Sequence, residues 1–227
     1  MKKTLLVIGA SSGVGAETAR HFSDLGHRVL AVSRRPAVAG EWIKADVSSP
    51  DGIRHLLSEL GATPVDALLF MGGVWEQGAF TDVFDFENSS DLETRHVIAV
   101  NLIAPIEIAK GIASNLRSTP NPRAIFVGSL SGLDNQASRE VANTASKFGL
   151  RGAVQALRLA FADSKIGFTV INPGNLATPE VQADIEDGRF HLQTPIPIRD
   201  LLSAVDWVLS LSTETEVGDI NLIQKDS

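Results

Sequence analysis

The sequence predicts a single α/β domain in which a doubly wound parallel sheet of about seven strands carries helices on both faces. Short apolar runs alternate with stretches whose apolar residues recur at helical spacing, which is typical of a parallel sheet buried on both sides. The chain has 227 residues, of which 44% are hydrophobic, and this suffices for one domain with a substantial core. No internal repeat or low-complexity tract interrupts it, so we expect residues 1–227 to fold as one unit.

Six short apolar runs are predicted to be buried strands, and a further strand is expected before Asp46. The six runs are residues 5–8, 29–32, 67–70, 125–127, 168–171 and 220–223. The first run follows Met1-Lys2-Lys3 and superficially resembles a signal peptide, but it is too short and no convincing cleavage site follows it. We therefore expect a buried first strand and a cytoplasmic protein.

Four apolar stripes predict helices between these strands, and Gly26 after the first stripe suits a helix C-terminus. The stripes consist of Val14, Thr18, Ala19, Phe22 and Leu25; Ile53, Leu56, Leu57 and Leu60; Val97, Val100, Ile103, Ala104 and Ile108; and Phe148, Leu150, Val154, Leu157 and Phe161.

Two segments, residues 75–90 and 178–197, lack clear periodicity and follow predicted strand ends. Ligands of α/β sheets bind at the carboxyl ends of the strands, so we expect both segments to cover a substrate pocket, with simple loop packing as the alternative. The side chains that would make such a pocket apolar are Phe80, Phe84, Phe190 and Leu192.

Composition and charge narrow the classes of function. The formal net charge of -7 argues against a broad nucleic-acid footprint. The chain has no cysteine, which removes disulfides, thiolate catalysis and cysteine metal sites, and we predict no metal site. No stretch approaches the length of a membrane span, so the expected partner is a small-molecule substrate.

A glycine-rich turn lies between the first predicted strand and the first predicted helix. Residues 9–15 read Gly-Ala-Ser-Ser-Gly-Val-Gly. Glycines let the backbone turn tightly and approach a pyrophosphate, and the helix N-terminus offers free amide donors. The alternative is a turn that binds nothing, but the position after the first strand favours binding. The candidate phosphate-binding residues are Gly9, Ser11, Ser12, Gly13, Val14 and Gly15.

The end of the second predicted strand indicates which dinucleotide is preferred. An acidic residue there would bind the ribose 2′-hydroxyl, but this strand ends in Ser33, followed by Arg34 and Arg35. A guanidinium matches a phosphate group with paired donors. We therefore predict NADP(H) in preference to NAD(H), with Arg34 as the main contact. The alternative is a pair of solvated arginines.

In this order and spacing, the motifs resemble those of the short-chain dehydrogenase/reductase family over nearly the whole chain. The resemblance implies a single-domain Rossmann fold with a nicotinamide cofactor. It also implies that Asp46 contacts the adenine amino group and that Val47 packs against the adenine ring. Gly72 and Gly73 follow the fourth strand, where the family has Asn-Ala-Gly, and Met71 replaces the Asn.

The second half of the chain continues the resemblance. Residues 127–132 read Val-Gly-Ser-Leu-Ser-Gly and place Ser129 in register with the family's catalytic Ser, which polarises the substrate carbonyl. Asn101 matches the helix Asn that helps to hold a relay water near the catalytic Lys. The residues that would frame the nicotinamide, or hold its carboxamide or the diphosphate, are Pro173, Gly174 and Thr178.

The family's proton donor is missing from this chain. In the family, a Tyr-x-x-x-Lys motif supplies a phenol that exchanges a proton with the substrate oxygen, and the Lys also binds the nicotinamide ribose. Here Asn143 stands four residues before Lys147, and the chain contains no Tyr. A carboxamide cannot release a proton near neutral pH, although Asn143 would still stabilise a substrate carbonyl by a hydrogen bond. The candidate catalytic residues are Ser129, Lys147, Asn143 and Asn101.

Three functions fit these observations, because fold alone does not determine chemistry. The leading prediction is an NADP(H)-dependent oxidoreductase whose proton comes from Ser129, from Lys147 with water, or from His191, or whose conjugated substrate needs no proton at oxygen. The second is an NADP(H)-binding protein without turnover that acts as a sensor or as a partner subunit. The third is a dehydratase or an isomerase. The presence of Ser129 favours chemistry over binding alone.

The resemblance also implies self-association. Family members commonly form homodimers or homotetramers through the helix that begins near Asn143 and the helix that contains Asn101. The alternative is that the apolar residues of these helices pack only onto the sheet. We expect a homodimer or a homotetramer.

Overall fold

A seven-stranded parallel sheet runs through the centre of the protein. The computed structural model describes residues 2–190 and 193–225. The strands are β1 Thr4–Ile8, β2 Arg28–Ser33, β3 Glu41–Lys44, β4 Ala67–Phe70, β5 Arg123–Val127, β6 Gly167–Pro173 and β7 Asp219–Leu222. Their order is β3-β2-β1-β4-β5-β6-β7, so the winding direction reverses between β1 and β4. The predicted doubly wound Rossmann architecture is confirmed.

Helices cover both faces of the sheet. They are α1 Gly13–Asp24, α2 Pro50–Leu60, α3 Asp91–Ile98, α4 Ala104–Gly111, α5 Ala113–Arg117, α6 Val141–Ala160, α7 Pro179–Glu186 and α8 Ile198–Ser210. A π-helical turn, Ala99–Ile103, joins α3 to α4.

Alternate residues of β1, β2, β4, β5 and β6 enter two separate hydrophobic layers, because successive side chains of a strand point to opposite faces. Leu6 and Ile8 of β1 pack in the layer that α2, α4 and α6 cover. Leu5 and Val7 pack in the layer that α1 and α8 cover. Helices therefore cover both faces of the sheet, and a ligand is expected to bind at the carboxyl ends of the strands.

The structure corrects the prediction that residues 178–197 are irregular throughout. They contain α7, whose first turn is capped by the Thr178 side chain, which accepts a hydrogen bond from the Val181 N–H. No residue of α7 is buried, so the helix has no apolar stripe that periodicity can reveal. Residues 75–90 contain turns and bends without a helix or a strand.

Three further findings bear on the predictions about membrane spans, metal sites and residues 191 and 192. No helix in the described ranges has the length and apolar character needed to cross a bilayer. Among residues 2–190 and 193–225, no group of three His, Asp or Glu side chains is placed to hold a metal ion. His191, a candidate proton source, and Leu192, a candidate pocket residue, lie outside the described residues.

Candidate functional site

A cavity of about 880 Å³ lies at the carboxyl ends of the strands, next to the reversal between β1 and β4. The structure brings most of the predicted site residues together around it. The predicted residues that line it are Gly9, Ser11, Ser12, Gly13, Val14, Ser33, Arg34, Arg35, Asp46, Val47, Gly72, Gly73, Ser129, Lys147, Pro173, Gly174 and Thr178. Gly15, Asn101 and Asn143 lie outside this lining.

The glycine-rich turn places the start of α1 at the cavity. Gly9 has a φ of +91°, and a Cβ atom there would lie 2.6 Å from the Gly72 Cα atom. A Cβ atom on Gly15 would lie 2.2 Å from the Gly9 carbonyl oxygen, so Gly15 serves the packing of α1 against the turn. Ser12 precedes α1 without a side-chain capping bond among the described residues, and the first turn holds no acid. This helix end therefore offers amide donors that fit an anion such as a pyrophosphate.

Cationic side chains stand at the β2 end of the cavity. Arg34 and Arg35 are exposed, and the Ser33 hydroxyl donates to the Arg35 carbonyl at 2.6 Å, which fixes the turn after β2. Burial by itself would raise the pKa of Asp46, but hydrogen bonds from the Ser48 hydroxyl and N–H, together with the Arg34 charge, hold it below its usual value. The two guanidinium groups give this end of the cavity a local positive charge.

Ser129 and Lys147 occupy the opposite part of the cavity, at the end of β5. The Lys147 side chain donates from Nζ to the Val127 carbonyl at 3.1 Å, and burial lowers its pKa to about 8. The Ser129 Oγ atom accepts hydrogen bonds from the Ser131 N–H and hydroxyl, at 3.1 and 3.0 Å. The Ser129 hydroxyl proton is therefore left to donate into the cavity.

Asn101 is fully engaged with the protein. It lies in the π-helical turn, where its Oδ1 atom accepts from the Val74 N–H at 2.9 Å, and its Nδ2 atom donates to the Val74 carbonyl and the Ser146 hydroxyl. These bonds fasten the segment after β4 to α6. Asn101 is thus a positioning residue here, and its part in a proton relay stays a prediction.

Asn143 is buried next to the cavity and does not line it. Only 1% of its surface is exposed, and it lies behind the cavity wall. Its Oδ1 atom is buried and has no hydrogen-bond partner among the described residues. The short side chain is enclosed within the protein, and the hypothesis that its carboxamide stabilises a substrate carbonyl stays a prediction.

The sequence did not single out Glu76, although it lines the cavity and only 5% of its surface is exposed. Its Oε1 atom accepts hydrogen bonds from the Ala142 and Asn143 N–H groups, at 2.7 and 3.1 Å. Its Oε2 atom is buried without a partner among the described residues. Glu76 thus caps α6 from a distant loop, and no local motif signals this contact.

Aromatic residues form the wall around Glu76. The ring centroid of Phe80 lies 6.3 Å from that of Trp75 and 5.9 Å from that of Phe190, with both pairs edge to face. All three line the cavity, whereas Phe84 is buried without lining it. Residues 75–90 and the end of the segment that carries α7 therefore meet at the cavity and give it apolar side chains.

Comparison with known proteins identifies the family. The sequence profile of the short chain dehydrogenases matches residues 3–188. The chain belongs to this family. It is 25% identical over 217 residues to an acetoacetyl-CoA reductase of Acinetobacter sp. (strain RA3849), covering 90% of this chain and 87% of that protein. It is 29% identical over 190 residues to the short chain dehydrogenase adrF of Penicillium roqueforti, covering 79% and 72%.

Solved structures share the fold of the chain. A 4-hydroxyisoleucine dehydrogenase complexed with NADH superposes with a TM-score of 0.80 and 22% identity, covering 97% of each chain. ElxO with NADP bound superposes with a TM-score of 0.81 and 16% identity, covering 98% of this chain and 97% of ElxO. The similarity to these structures is one of fold, and a nicotinamide cofactor is consistent with that fold.

Proposed function

We propose that this short-chain dehydrogenase is an NADP(H)-dependent oxidoreductase that transfers hydride to or from a small carbonyl, alcohol or conjugated substrate. The observation that carries the proposal is the lining of one cavity by the glycine-rich turn, the two arginines after β2, Ser129 and Lys147. When bound, the nicotinamide supplies or accepts the hydride. The start of α1, Arg34 and Lys147 would hold the dinucleotide.

The preference for NADP(H) rests on this chain's own residues. ElxO contains NADP and 4-hydroxyisoleucine dehydrogenase contains NADH, so the fold accommodates both dinucleotides. Arg34 and Arg35 are exposed at the cavity, and Ser33 takes the place of an acid that would repel a 2′-phosphate. These side chains favour the dinucleotide with the additional phosphate.

Replacing Arg34 with alanine should raise the Kd for NADPH about 10- to 100-fold and change the Kd for NADH little, because one charge-assisted phosphate contact is lost. Calorimetric titration of both dinucleotides would measure this. Arg54→Ala is the matched control, since Arg54 is an exposed arginine of α2 away from the cavity. If the wild type binds NADH as tightly as NADPH, the cofactor preference is wrong.

Two properties of the site support chemistry over binding alone. Burial of the Lys147 amine opposes its charge, and only a site that uses the amine gains from keeping it there. The Ser129 Oγ atom lines the cavity and is held by hydrogen bonds from the Ser131 N–H and hydroxyl. A protein that only binds the dinucleotide has less need of Ser129.

Turnover should depend on Ser129. With NADPH and a panel of carbonyls and enones, Ser129→Ala should lower kcat about 100- to 1,000-fold on any responsive substrate, because the developing oxyanion loses a donor. The Kd for NADPH should stay within about 2-fold, as the lost contact is to substrate. Ser203→Ala, at an exposed serine of α8, is the control. If activity survives the loss of both Ser129 and the Lys147 amine, the proposed redox site is wrong.

We also propose that the protein is a homodimer or a homotetramer. Ile103, Ile106 and Phe148 are exposed apolar residues near or on α4 and α6, with 45%, 38% and 37% of their surfaces accessible. These are the helices through which the family resemblance predicts association, and their apolar surface supports the proposal.

A further inference from the structure

Phe80 holds a backbone conformation that a phenylalanine rarely adopts. Its φ is +64°, in the left-handed region that favours glycine and asparagine, and a bulky residue is strained there. A buried acid holds this conformation, since the Glu140 Oε1 atom accepts a hydrogen bond from the Phe80 N–H at 2.8 Å. Strained residues persist where the surrounding structure fixes them, and they cluster at ligand sites. The ring at position 80 therefore calls for a role that a glycine would not provide.

The strained backbone presents this ring at the centre of an aromatic trio of Trp75, Phe80 and Phe190. Both neighbours meet the Phe80 ring edge to face, with centroid distances of 6.3 Å to Trp75 and 5.9 Å to Phe190. All three residues line the cavity, and 57% of the Trp75 surface and 40% of the Phe80 surface are exposed. Much aromatic surface is thus left for a ligand, whose own ring would add a further aromatic pair.

The aromatic trio lies toward the part of the cavity that contains Lys147. A Cβ atom added to Gly73 would lie 3.6 Å from the Lys147 Nζ atom, and Trp75 follows Gly73 by two residues. Phe80 is bound to Glu140, the residue directly before α6, and Lys147 lies in the second turn of that helix. A substrate whose reacting group lies beside Lys147 therefore has the trio in the same part of the cavity.

The charged side chains near the trio disfavour a charged substrate. Arg189 lines the cavity, but it is already paired with Asp184 at 2.9 Å and with Asp187 at 2.8 Å. Together with Glu76, three carboxylates outnumber this guanidinium, so an anionic group placed there meets net repulsion. The buried Lys147 amine disfavours a cationic group for the same reason. An uncharged ring fits this part of the cavity best.

We propose that Phe80 is a substrate-binding residue and that the substrate is an uncharged carbonyl or alcohol compound with an aromatic ring, which packs against Phe80 and Trp75. This rests on the proposed oxidoreductase function and narrows its substrate class. The ring would remove the exposed surface of both side chains from water, which favours binding. Because Glu140 fixes the Phe80 backbone before the substrate arrives, less conformational freedom is lost on binding.

Calorimetry tests the substrate class without turnover. Acetophenone and cyclohexyl methyl ketone, which differ in an aromatic or a saturated ring, are titrated into the wild type alone and into the wild type with saturating NADP⁺. Acetophenone should bind about 3- to 10-fold more tightly, because an aromatic pair adds to the burial of area. The charged analogues 4-acetylbenzoate and 4-acetylbenzylamine should each bind at least about 10-fold more weakly than acetophenone. Equal Kd values for the two ketones, or tighter binding of a charged analogue, overturn the proposal.

Two substitutions assign the effect to the aromatic trio. Phe80→Asn removes the ring and keeps a residue that accepts a positive φ. It should weaken the binding of acetophenone about 10-fold and reduce its preference over cyclohexyl methyl ketone to less than about 2-fold. Trp75→Ala should change both quantities in the same direction, and it decides the question where Phe80→Asn does not fold. Equal weakening of both ketones would assign Phe80 a structural role and overturn the proposal.

Phe86→Asn is the matched control. Phe86 belongs to the same irregular segment and is 51% exposed, but it does not line the cavity. Its removal should leave the Kd of both ketones within about 2-fold of the wild-type values, because an exposed side chain away from the site contributes little. A Phe86→Asn protein that loses the preference for acetophenone as Phe80→Asn does would overturn the assignment to Phe80.

Turnover separates this proposal from the one it rests on. With NADPH, Phe80→Asn should raise the KM for acetophenone with little change in kcat, because the lost contact is with the body of the substrate. Oxidation of NADPH by the wild type without preference for acetophenone overturns the aromatic site and leaves the oxidoreductase standing. Preferred binding of acetophenone, with no oxidation of NADPH by the carbonyl and enone panel, supports the aromatic site and contradicts the oxidoreductase function.

Discussion

Replacing Lys147 with methionine is expected to abolish turnover and to raise the melting temperature. Burial lowers the pKa of Lys147 from its ordinary value of 10.5 to about 8, which corresponds to about 3 kcal/mol of unfavourable free energy for the charged amine. Methionine has a similar shape without the charge, and it loses only the hydrogen bond to the Val127 carbonyl, about 1 kcal/mol. The net gain is about 2 kcal/mol, or about 4–8 °C for a domain of this size.

The gain should depend on pH with a defined sign. Because the folded pKa of Lys147 lies below its unfolded value, the unfolded chain holds the proton more tightly, so wild-type stability rises between pH 8 and 10.5. The methionine variant lacks this rise, so its advantage should be largest below pH 8 and should be lost before pH 10.5, where only the missing hydrogen bond to the Val127 carbonyl remains. The chain has no Tyr or Cys, so few other groups titrate in this window.

Urea unfolding at several pH values would measure both effects of the Lys147 substitution. Lys110→Met is the control, because Lys110 is an exposed lysine in the last turn of α4, and its removal should leave turnover and the pH profile unchanged. A Lys147→Met protein that is less stable than the wild type at pH 7 would contradict the prediction. So would one that retains full activity.

Gly15→Ala is expected to destabilise the fold by about 3 kcal/mol or more and to eliminate dinucleotide binding. The added Cβ atom would lie 2.2 Å from the Gly9 carbonyl oxygen, so either α1 or the glycine-rich turn must shift. Either shift would move the amide groups at the start of α1. The free energy of unfolding from urea titration, together with calorimetry with NADPH, would measure the two consequences.

Gly152→Ala provides the matched control within α6. A Cβ atom at Gly152 meets nothing within 4 Å, and the residue is exposed in the helix. This substitution should therefore stabilise the protein by about 0.5–1 kcal/mol, as alanine loses less backbone freedom than glycine in a helix. If both variants destabilise the protein equally, the close contact between α1 and the turn does not explain the glycine at position 15.

Much of the fold was predictable because buried parallel strands are continuous apolar runs. The runs in β1 and β4 consist of residues that are fully or nearly fully buried. β3 is different, because it lies at the sheet edge and three of its four residues are exposed. In the sequence, only the position of β3 directly before Asp46 indicated this strand. The amphipathic pattern was likewise absent from α7, although Thr178 followed by Pro179 and Glu180 is a typical helix start.

The cofactor part of the candidate site was also predictable, since the turn after β1 and the arginines after β2 are contiguous in sequence. The part of the site around Asn143 was not. Glu76 comes from a loop and meets α6 at residues 142 and 143, a contact across 66 and 67 residues of chain. Asn143 was expected to face the cavity, but it is buried and does not line the cavity. The spacing of a sequence motif does not show how far a short side chain reaches.

The absence of tyrosine gives the cavity an optical reporter. Near-ultraviolet excitation at wavelengths longer than the phenylalanine absorption band reaches only the three tryptophans of this chain. Trp75 lines the cavity, and the indole N–H of Trp42 donates at 3.2 Å to the carbonyl of Ser33, which also lines it. Indole emission overlaps the absorption band of a reduced nicotinamide, so a bound dinucleotide should draw energy from both indoles. The protein's own fluorescence can therefore follow occupancy of the site in real time, without a label or a substrate.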